Sequence, residues 1–325
     1  MKDKFGREID YLRISLTEKC NIRCLYCMPD WKEKISEEKS PCKIKQEELS
    51  KDEILQIVEI FSKIGIKKIR LTGGEPLLRK DLLDIVGGIS KISNIEEVCL
   101  TTNGLELESK IEDLKRAGLN RINISLDTLD PDEYRTLTRG GEVGKVLSAI
   151  EKCLSLDIPV KVNAVITNIQ SEESVQKLAE LSVNKKIDVR FIEIMPIGLG
   201  KGLKGFTGEE IVKILMKKYD LKNLYTFEGT SKYYKIQGGN GRIGFINPMS
   251  ECFCGSCNRV RITSTMELKT CLSSEDSLNL KEVMNREITL EEKKEIILSA
   301  LYNRNEKNIF DSEQSEKKSM NQIGG

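Results

Sequence analysis

Over its first 218 residues the chain alternates short apolar runs with longer amphipathic ones, and no other feature restricts the fold as much. The short runs are "YLRISL" (11–16), "IKKIRLT" (66–72), "IEEVCLT" (95–101), "LNRINISL" (119–126), "PVKVNAVI" (159–166) and "IDVRFIEI" (187–194). Each reads as a strand bounded by turn residues. Residues 51–64, 77–90, 106–117, 143–156, 172–183 and 208–218 instead place apolar side chains at helical spacing. The first of these helices opens on a capping-box pattern, Ser50 with Glu53, and stops at Gly65.

Six strand–helix pairs imply a parallel sheet with crossover helices. Periodicity leaves an open barrel and a doubly wound sheet both standing. In either fold, functional groups gather beyond the carboxyl ends of the strands. The segments after Leu16, Thr72, Thr101, Leu126, Ile166 and Ile194 are therefore expected around one mouth. Past about residue 220 the texture changes. "LYTFEG", "KYYKIQG" and "GRIGFIN" read as short strands parted by Gly-rich turns, and "RVRITSTMELKTCL" as a hairpin before helices near 280–286 and 290–301. The chain thus divides into 1–220 and 221–325. Its polar end, "NEKNIFDSEQSEKKSMNQIGG", is expected to stay mobile until something binds.

No stretch approaches the roughly 18 apolar residues of a membrane span. The opening "MKDKFGREIDYLRISL" lacks the apolar core of a secretory signal, so the expected location is the cytoplasm. With 52 basic and 51 acidic side chains there is no bulk charge to attract a nucleic-acid polymer. Any anionic ligand must be gripped by a local cluster of Arg and Lys.

Ten cysteines in 325 residues are too dilute for a disulfide-stapled mini-domain, and their tight spacing reads as metal ligation. The chain has no histidine. Zinc sites that need imidazole, iron sites built on a histidine pair and a carboxylate, and serine–histidine–aspartate triads are all excluded. Metal held here is held mainly by sulfur, which favours zinc, iron–sulfur or copper(I).

Cys20, Cys24 and Cys27 follow a CxxxCxxC spacing. A 4Fe–4S cube has four irons that each want an external ligand, so three thiolates leave one iron open to a substrate or cofactor. The alternative is a structural zinc site completed by Cys42. "LTGGEP" (71–76) follows the second strand, where adjacent glycines permit close backbone approach and Glu75 adds an acceptor. "TTNG" (101–104) and "SLD" (125–127) end the third and fourth strands.

Cys254 and Cys257 are followed by Cys271 after thirteen intervening residues. Again there are three candidates; Cys252 could complete a closed zinc knuckle, so zinc and iron–sulfur both stand on spacing alone. "CNRVR" places Arg259 and Arg261 on one face of a strand, an anion grip suited to phosphate. Cys99 and Cys153 occupy strand and helix patterns and, with Cys42, read as ordinary residues.

The first cysteine motif, with Tyr26 before its last cysteine, and the following "LTGGEP" resemble the radical S-adenosylmethionine superfamily. Within it, "CGSCNRVRIT…LKTCL" and the closing "GG" resemble the GTP 3′,8-cyclase family, which opens molybdenum cofactor biosynthesis. The resemblance runs from Tyr11 to Gly325 through "YLRISLTEKCNIRCLYCMP", "LTGGEPLLR", "TTNG", "NISLD", "KVNAV", "RFIEIMPIG" and "MSECFCGSCNR". It implies an α/β fold, an incomplete (βα)6 TIM-type barrel closed by a C-terminal α+β region that carries a second iron–sulfur cluster.

The resemblance implies two 4Fe–4S clusters, one on Cys20, Cys24 and Cys27, the other on Cys254, Cys257 and Cys271, with Cys252 a spectator. S-adenosyl-L-methionine is implied at the first, its cleavage giving a 5′-deoxyadenosyl radical. That radical removes the 3′ hydrogen of GTP, C3′ attacks C8, and reduction and protonation give (8S)-3′,8-cyclo-7,8-dihydroguanosine 5′-triphosphate, a lyase-class reaction. Tyr26, Gly73, Gly74, Glu75, Thr101 and Ser125 are the implied cofactor contacts. Arg13, Lys161, Arg259 and Arg261 fall on triphosphate-binding positions, with Lys68, Arg70 and Arg190 elsewhere in the pocket. Gly324 and Gly325 are implied to reach into the site and support catalysis. The implied partners are GTP, a cellular electron donor, cyclic pyranopterin monophosphate synthase as recipient of the product, and a second subunit in a homodimer. One departure stands out: the family's "TADGKLR" type of turn is "TSTMELK" here (263–269), where Lys269 keeps the charge but not the planar fork.

Overall fold

The computed structural model describes residues 1–30 and 48–324; Cys42 and Gly325 lie outside them. The barrel strands are β1 (Tyr11–Ser15), β2 (Lys68–Thr72), β3 (Glu97–Thr102), β4 (Arg121–Ser125), β5 (Val160–Val165) and β6 (Asp188–Ile192). Between and after them run α1 (Lys51–Lys63), α2 (Leu82–Ile89), α3 (Ile111–Arg116), α4 (Pro131–Thr138), α5 (Val143–Ser155), α6 (Glu172–Asn184) and α7 (Gly208–Met216). The six strands pair in sequence order and all in parallel. That order decides between the two folds left open by periodicity. A doubly wound sheet reverses direction at a switch point; an unreversed run of crossovers of one hand keeps the helices on one face and curls the sheet about the other.

The later strands extend this sheet at both edges. β9 (Ile243–Ile246) pairs parallel to β6 and carries the antiparallel β8 (Ser231–Ile236) and β7 (Leu221–Glu228). β10 (Arg259–Ile262) pairs parallel to β1 and carries the antiparallel β11 (Glu267–Lys269) and β12 (Leu278–Asn279). One 12-stranded sheet results, open between β12 and β7, so residues beyond 220 belong to the wall of the same barrel. Helices α8 (Leu280–Asn285), α9 (Leu290–Tyr302) and the short α10 (Met320–Ile323) complete the chain.

Period-two alternation sorts the strand side chains. Leu12, Ile14, Ile69, Leu71, Ile122 and Ile124 are fully buried in the core beneath the helices. Their neighbours Arg13, Arg70, Asn123, Lys161, Asn163 and Arg190 line the lumen. TIM barrels usually fill that space with branched apolar side chains; this one lines it with cations and amides.

Three sequence expectations need correcting. The helix expected over 77–90 is split, because Glu75 caps a single 3-10 turn (Pro76–Leu78) and α2 begins only at Leu82. Helix α4 is additional: Asp130 Oδ1 accepts from the amides of Asp132 (3.0 Å) and Glu133 (2.9 Å), and Pro131 fills the first helical position. The closing segment is packed in place. Phe310 and Ile323 bury with Ile197 in a small apolar cluster, and the buried Glu316 meets the buried Lys269 at 2.5 Å. Few apolar residues suffice there because charge pairing and a Ser319–Gln322 capping box add to them. The altered turn before Cys271 keeps its hairpin, with Met266 at φ 69° where the family's turn has glycine, its side chain anchored in the core.

Candidate active site

A cavity of about 530 Å³ runs along the lumen, with cysteines at both ends. Cys20, Cys24 and Cys27 lie on the loop that leaves the carboxyl end of β1. Cys254 and Cys257 precede β10, which is parallel to β1, and Cys271 follows β11, which runs back against β10. The second group therefore sits at the amino end of the strands, opposite the first. Loops after the barrel strands line one mouth, as expected, and the second cysteine group, which spacing left unplaced, lines the opposite end. Lys68 and Arg259 start their strands and Arg13, Arg70 and Arg190 sit mid-strand, so these cations span the distance between the cysteine groups.

The first cysteine loop is fixed from three sides. The carbonyls of Thr138 and Leu137, at the end of α4, accept from the amides of Arg23 and Leu25, both at 3.0 Å. Arg23 Nη1 donates to the carbonyl of Cys20 at 2.8 Å. Gly73 and Gly74 bring the third side within backbone distance: Gly74 N donates to Thr17 O at 2.6 Å and Glu75 N to Lys19 O at 2.7 Å. A Cβ at Gly73 would stand 2.6 Å from Thr17 O, and one at Gly74 would collide with Lys19 O. The paired glycines are thus required by the chain itself, while both also line the cavity.

Glu75 does not line the cavity. Its carboxylate lies fully buried and accepts from Thr102 Oγ1 (2.7 Å), Asn103 N (2.8 Å) and Leu77 N (3.0 Å). Burial pushes its carboxyl up to about 7 against the pull of those donors. It stitches the "GGEP" loop to the "TTNG" loop. Tyr26 donates to Asp127 Oδ2 at 2.8 Å, and Asp127 Oδ1 accepts from Val165 N at 2.8 Å. Tyr26, Thr101 and Ser125 all face the cavity, and Arg70 Nη1 approaches Thr101 Oγ1 at 3.4 Å.

The cations are of two kinds. Lys68 is paired with Glu97 at 2.6 Å, and Lys161 with Asp188 and Glu228, both at 3.1 Å. Arg13, Arg259 and Arg261 instead crowd one another across the β1–β10 register. Burial, then repulsion from Arg261, holds the Arg13 guanidinium well below its usual value, and burial with repulsion from Arg259 lowers Arg261 to about 10. Half-buried Arg190 is also lowered to about 10 by desolvation, and its Nε and Nη2 have no hydrogen-bond partner among the described residues. Such a cluster is an electrostatic hole for a polyanion. Arg261 also donates to the carbonyl of Gly324, which brings the tail to the site.

All six candidate ligand thiols face the cavity. The nine described cysteines are free of disulfides. Three thiols at each end would leave one corner of a 4Fe–4S cube without a protein ligand. Burial pushes the Cys27 thiol up to about 12 and Cys24 well above its ordinary value. Cys257 is opposite: burial would raise it, but Arg259 and Arg304 outweigh burial and bring it to about 7. Cys252 is exposed and off the cavity, while Cys99 and Cys153 are core residues.

Sequence reading missed several lining residues. Asn103 Nδ2 reaches Cys20 Sγ at 3.7 Å, Arg304 Nη2 donates to Cys257 Sγ at 3.3 Å, and Asn308 Nδ2 lies 3.9 Å from Cys254 Sγ. Asn103 lay within the quoted "TTNG" and was readable; Arg304 and Asn308 belong to no local pattern.

Comparison with known proteins agrees with this geometry. Residues 14–182 match the family model described as the radical SAM superfamily, and 187–310 the one described as Molybdenum Cofactor Synthesis C. The chain is 46% identical to a GTP 3′,8-cyclase of Clostridium perfringens and 42% identical to one of Alkaliphilus oremlandii, in each case over 100% of both chains. Among solved structures, Streptococcus suis SuiB bound to S-adenosylmethionine superposes with a TM-score of 0.64 at 15% identity, covering 97% of this chain and 78% of that one. Methylornithine synthase (PylB) gives 0.51 at 14% identity, covering 93% and 86%. At such identities these two speak for the fold alone. No helix among the described residues is long and apolar enough to cross a membrane. By full-length identity and by both family models, the chain belongs to the GTP 3′,8-cyclase family of the radical SAM superfamily.

Proposed function

We propose that this chain cyclises GTP to (8S)-3′,8-cyclo-7,8-dihydroguanosine 5′-triphosphate, the first step of molybdenum cofactor biosynthesis. The observation that carries the reading is one lumen with three cavity-facing thiols at each end and a cationic strand wall between them. Cys20, Cys24 and Cys27 would hold one 4Fe–4S cluster, and Cys254, Cys257 and Cys271 a second, each short of one protein ligand. When bound, S-adenosyl-L-methionine and the first cluster supply the 5′-deoxyadenosyl radical, chemistry no side chain can perform.

The chain's own residues bind, orient and exclude water. Tyr26, Gly73, Gly74, Thr101 and Ser125 line the first-cluster end and take the cofactor, with Glu75 bracing the loop behind them. Arg13, Arg259 and Arg261 take the triphosphate, whose charge relieves their mutual repulsion. Lys161, Lys68, Arg70 and Arg190 border the same space; for Lys68 and Lys161 the phosphates compete with carboxylates already in place. Fixing a nucleotide at its base and its phosphates leaves the ribose one approach to the cofactor end, which is where orientation supplies rate. The tail through Gly324 covers the cavity beside Arg261 and keeps water from reactive carbon. The reading takes residues 1–220 as the partial barrel that holds the cofactor and much of the cationic wall, and 221–325 as the region that adds the second cysteine group, further substrate contacts and the tail. It places the reaction in the cytoplasm, with a cellular electron donor, cyclic pyranopterin monophosphate synthase as recipient of the product, and a homodimer as the assembly.

The test is anaerobic turnover of GTP with S-adenosylmethionine and a strong reductant, followed by mass analysis of the nucleotide. The expected product is an isomer of GTP with unchanged mass and altered connectivity, formed with 5′-deoxyadenosine. Cofactor cleavage that leaves GTP intact, or protein containing zinc without iron, overturns the reading.

A further inference from the structure

Residues 1–9 take no part in the chemistry above, yet they are built into the second cysteine site. Lys2 and Glu8 form an antiparallel bridge, and Lys4 N donates to Tyr302 O at 3.1 Å, which seats this segment on the end of α9. Inside the loop so formed, Asp3 and Arg7 are buried. Arg7 Nε donates to Asp3 Oδ2 at 2.6 Å, and Arg7 N to Oδ1 at 2.9 Å. The rest of the Arg7 fork is spent on carbonyls: Nη1 donates to Cys254 O at 3.0 Å and to Glu306 O at 2.8 Å, and Nη2 to Asn305 O at 2.7 Å.

A second guanidinium shares the same carboxylate. Arg304 is 3% exposed, with Nε 3.8 Å from Asp3 Oδ2. Its Nη1 donates to Cys257 O at 3.1 Å and its Nη2 to Cys257 Sγ at 3.3 Å. Two buried cations therefore face one buried anion. A carboxylate neutralises one guanidinium, and the surplus positive charge points at the sulfur of a cysteine that the proposed function makes a cluster ligand. Buried ionic groups persist only when geometry and hydrogen bonds compensate their desolvation, and here the compensation joins parts of the chain some three hundred positions apart at one thiolate.

We propose that Arg304, paired with an Asp3 that Arg7 fixes in place, is a positioning residue of the second cysteine group that aims an N–H at Cys257 and raises the reduction potential of the cluster held there. A donor and a positive charge at a ligating sulfur stabilise the more negative, reduced state, and outer-shell contacts of this kind tune metal sites. The inference rests on the reading of Cys254, Cys257 and Cys271 as cluster ligands.

The experiment is a redox titration of anaerobically purified holoenzyme followed by electron paramagnetic resonance, with the second-cluster signal identified as the one lost in Cys271→Ser. In Arg304→Met the midpoint of that signal shifts to more negative potential while the first-cluster signal stays in place. Arg304→Lys keeps the charge beside Asp3 but not the fork, and gives a smaller shift in the same direction; it decides the matter if the methionine variant does not fold. Unchanged midpoints in the folded Arg304 variants overturn the inference while leaving the proposed function standing. Wild-type protein whose only signal survives Cys271→Ser overturns the second-cluster reading, and the inference with it.

Discussion

Gly324 occupies a position that one methyl group would break. Its φ is +77°, and an added Cβ would stand 2.9 Å from Ser15 Cβ on β1. For any other residue the left-handed backbone alone costs about 1–2 kcal/mol, and the contact adds to that. Because its carbonyl receives the Arg261 guanidinium, the displaced tail also withdraws an acceptor from the cation cluster. Gly324→Ala is expected to lower cyclisation at least about tenfold, a loss of about 1.4 kcal/mol, with the iron content unchanged; full turnover would dismiss the tail's role. Glu75 offers a second test at this scale. Its folded carboxyl titrates at about 7 because burial outweighs its donors, against about 4.3 in an unfolded chain. Between those values the folded protein holds a proton that the unfolded chain has released, so this group's contribution falls as pH rises from about 4.3 to 7 and is flat above. Thermal melts across that window should show a decline of at most about 1.4 kcal/mol per pH unit that Glu75→Gln lacks. Equal pH profiles for the two proteins would show that the three donors keep Glu75 ionised.

The β10–β11 hairpin and the tail form a unit whose strength comes from a buried pair, Lys269 with Glu316, each side chain 1% exposed. Lys269 Nζ also donates to Glu275 O at 3.3 Å, and the carboxylate of Glu316 accepts from Lys318 N at 2.8 Å. Removing one member leaves the other charged and unpaired out of water, so Lys269→Met should cost about 3–5 kcal/mol. The double variant Lys269→Met with Glu316→Leu should recover most of that, since two apolar groups of similar volume replace two desolvated ions. Denaturant melts of both variants measure it; a double variant as unstable as the single would mean that the pair acts through its outer hydrogen bonds. The hairpin, both cysteine spacings and the capped α1 were legible in sequence because each is set by residues within fewer than twenty positions. Helix α4 was overlooked because "PDEYRTLT" carries almost no apolar stripe, although "DP" at its start was a readable N-cap. The ordered tail was not legible, since its anchors, Lys269 and Ile197, lie far away in the chain.

At the scale of the molecule, periodicity showed six strand–helix pairs but neither the choice of a barrel nor the end at which the second cysteine group sits. The clue was present: "YLRIS", "KIRLT", "RINIS" and "DVRFI" alternate polar with apolar, whereas parallel strands covered on both faces read as continuous apolar runs. Alternation of that kind requires a polar lumen, and a polar lumen allows the two cysteine groups to occupy opposite ends. Opposite ends in turn require that the two ligands be captured separately. Arg259 begins β10 beside the second group, so Arg259→Ala should weaken GTP capture by about 1.5–3 kcal/mol, the worth of a charge-assisted hydrogen bond. That is roughly a ten- to hundredfold loss of affinity, while S-adenosylmethionine capture should change less than about twofold, within the scatter of sites that share no partner. Cys24→Ser, at the other end, should reverse the pattern, abolishing cofactor capture while GTP still binds. Anaerobic equilibrium dialysis with each ligand alone distinguishes the cases. If both affinities fell together in either variant, the strand wall would be transmitting a change from one end to the other, and the separation read from the β1–β10 register would not describe how the site works.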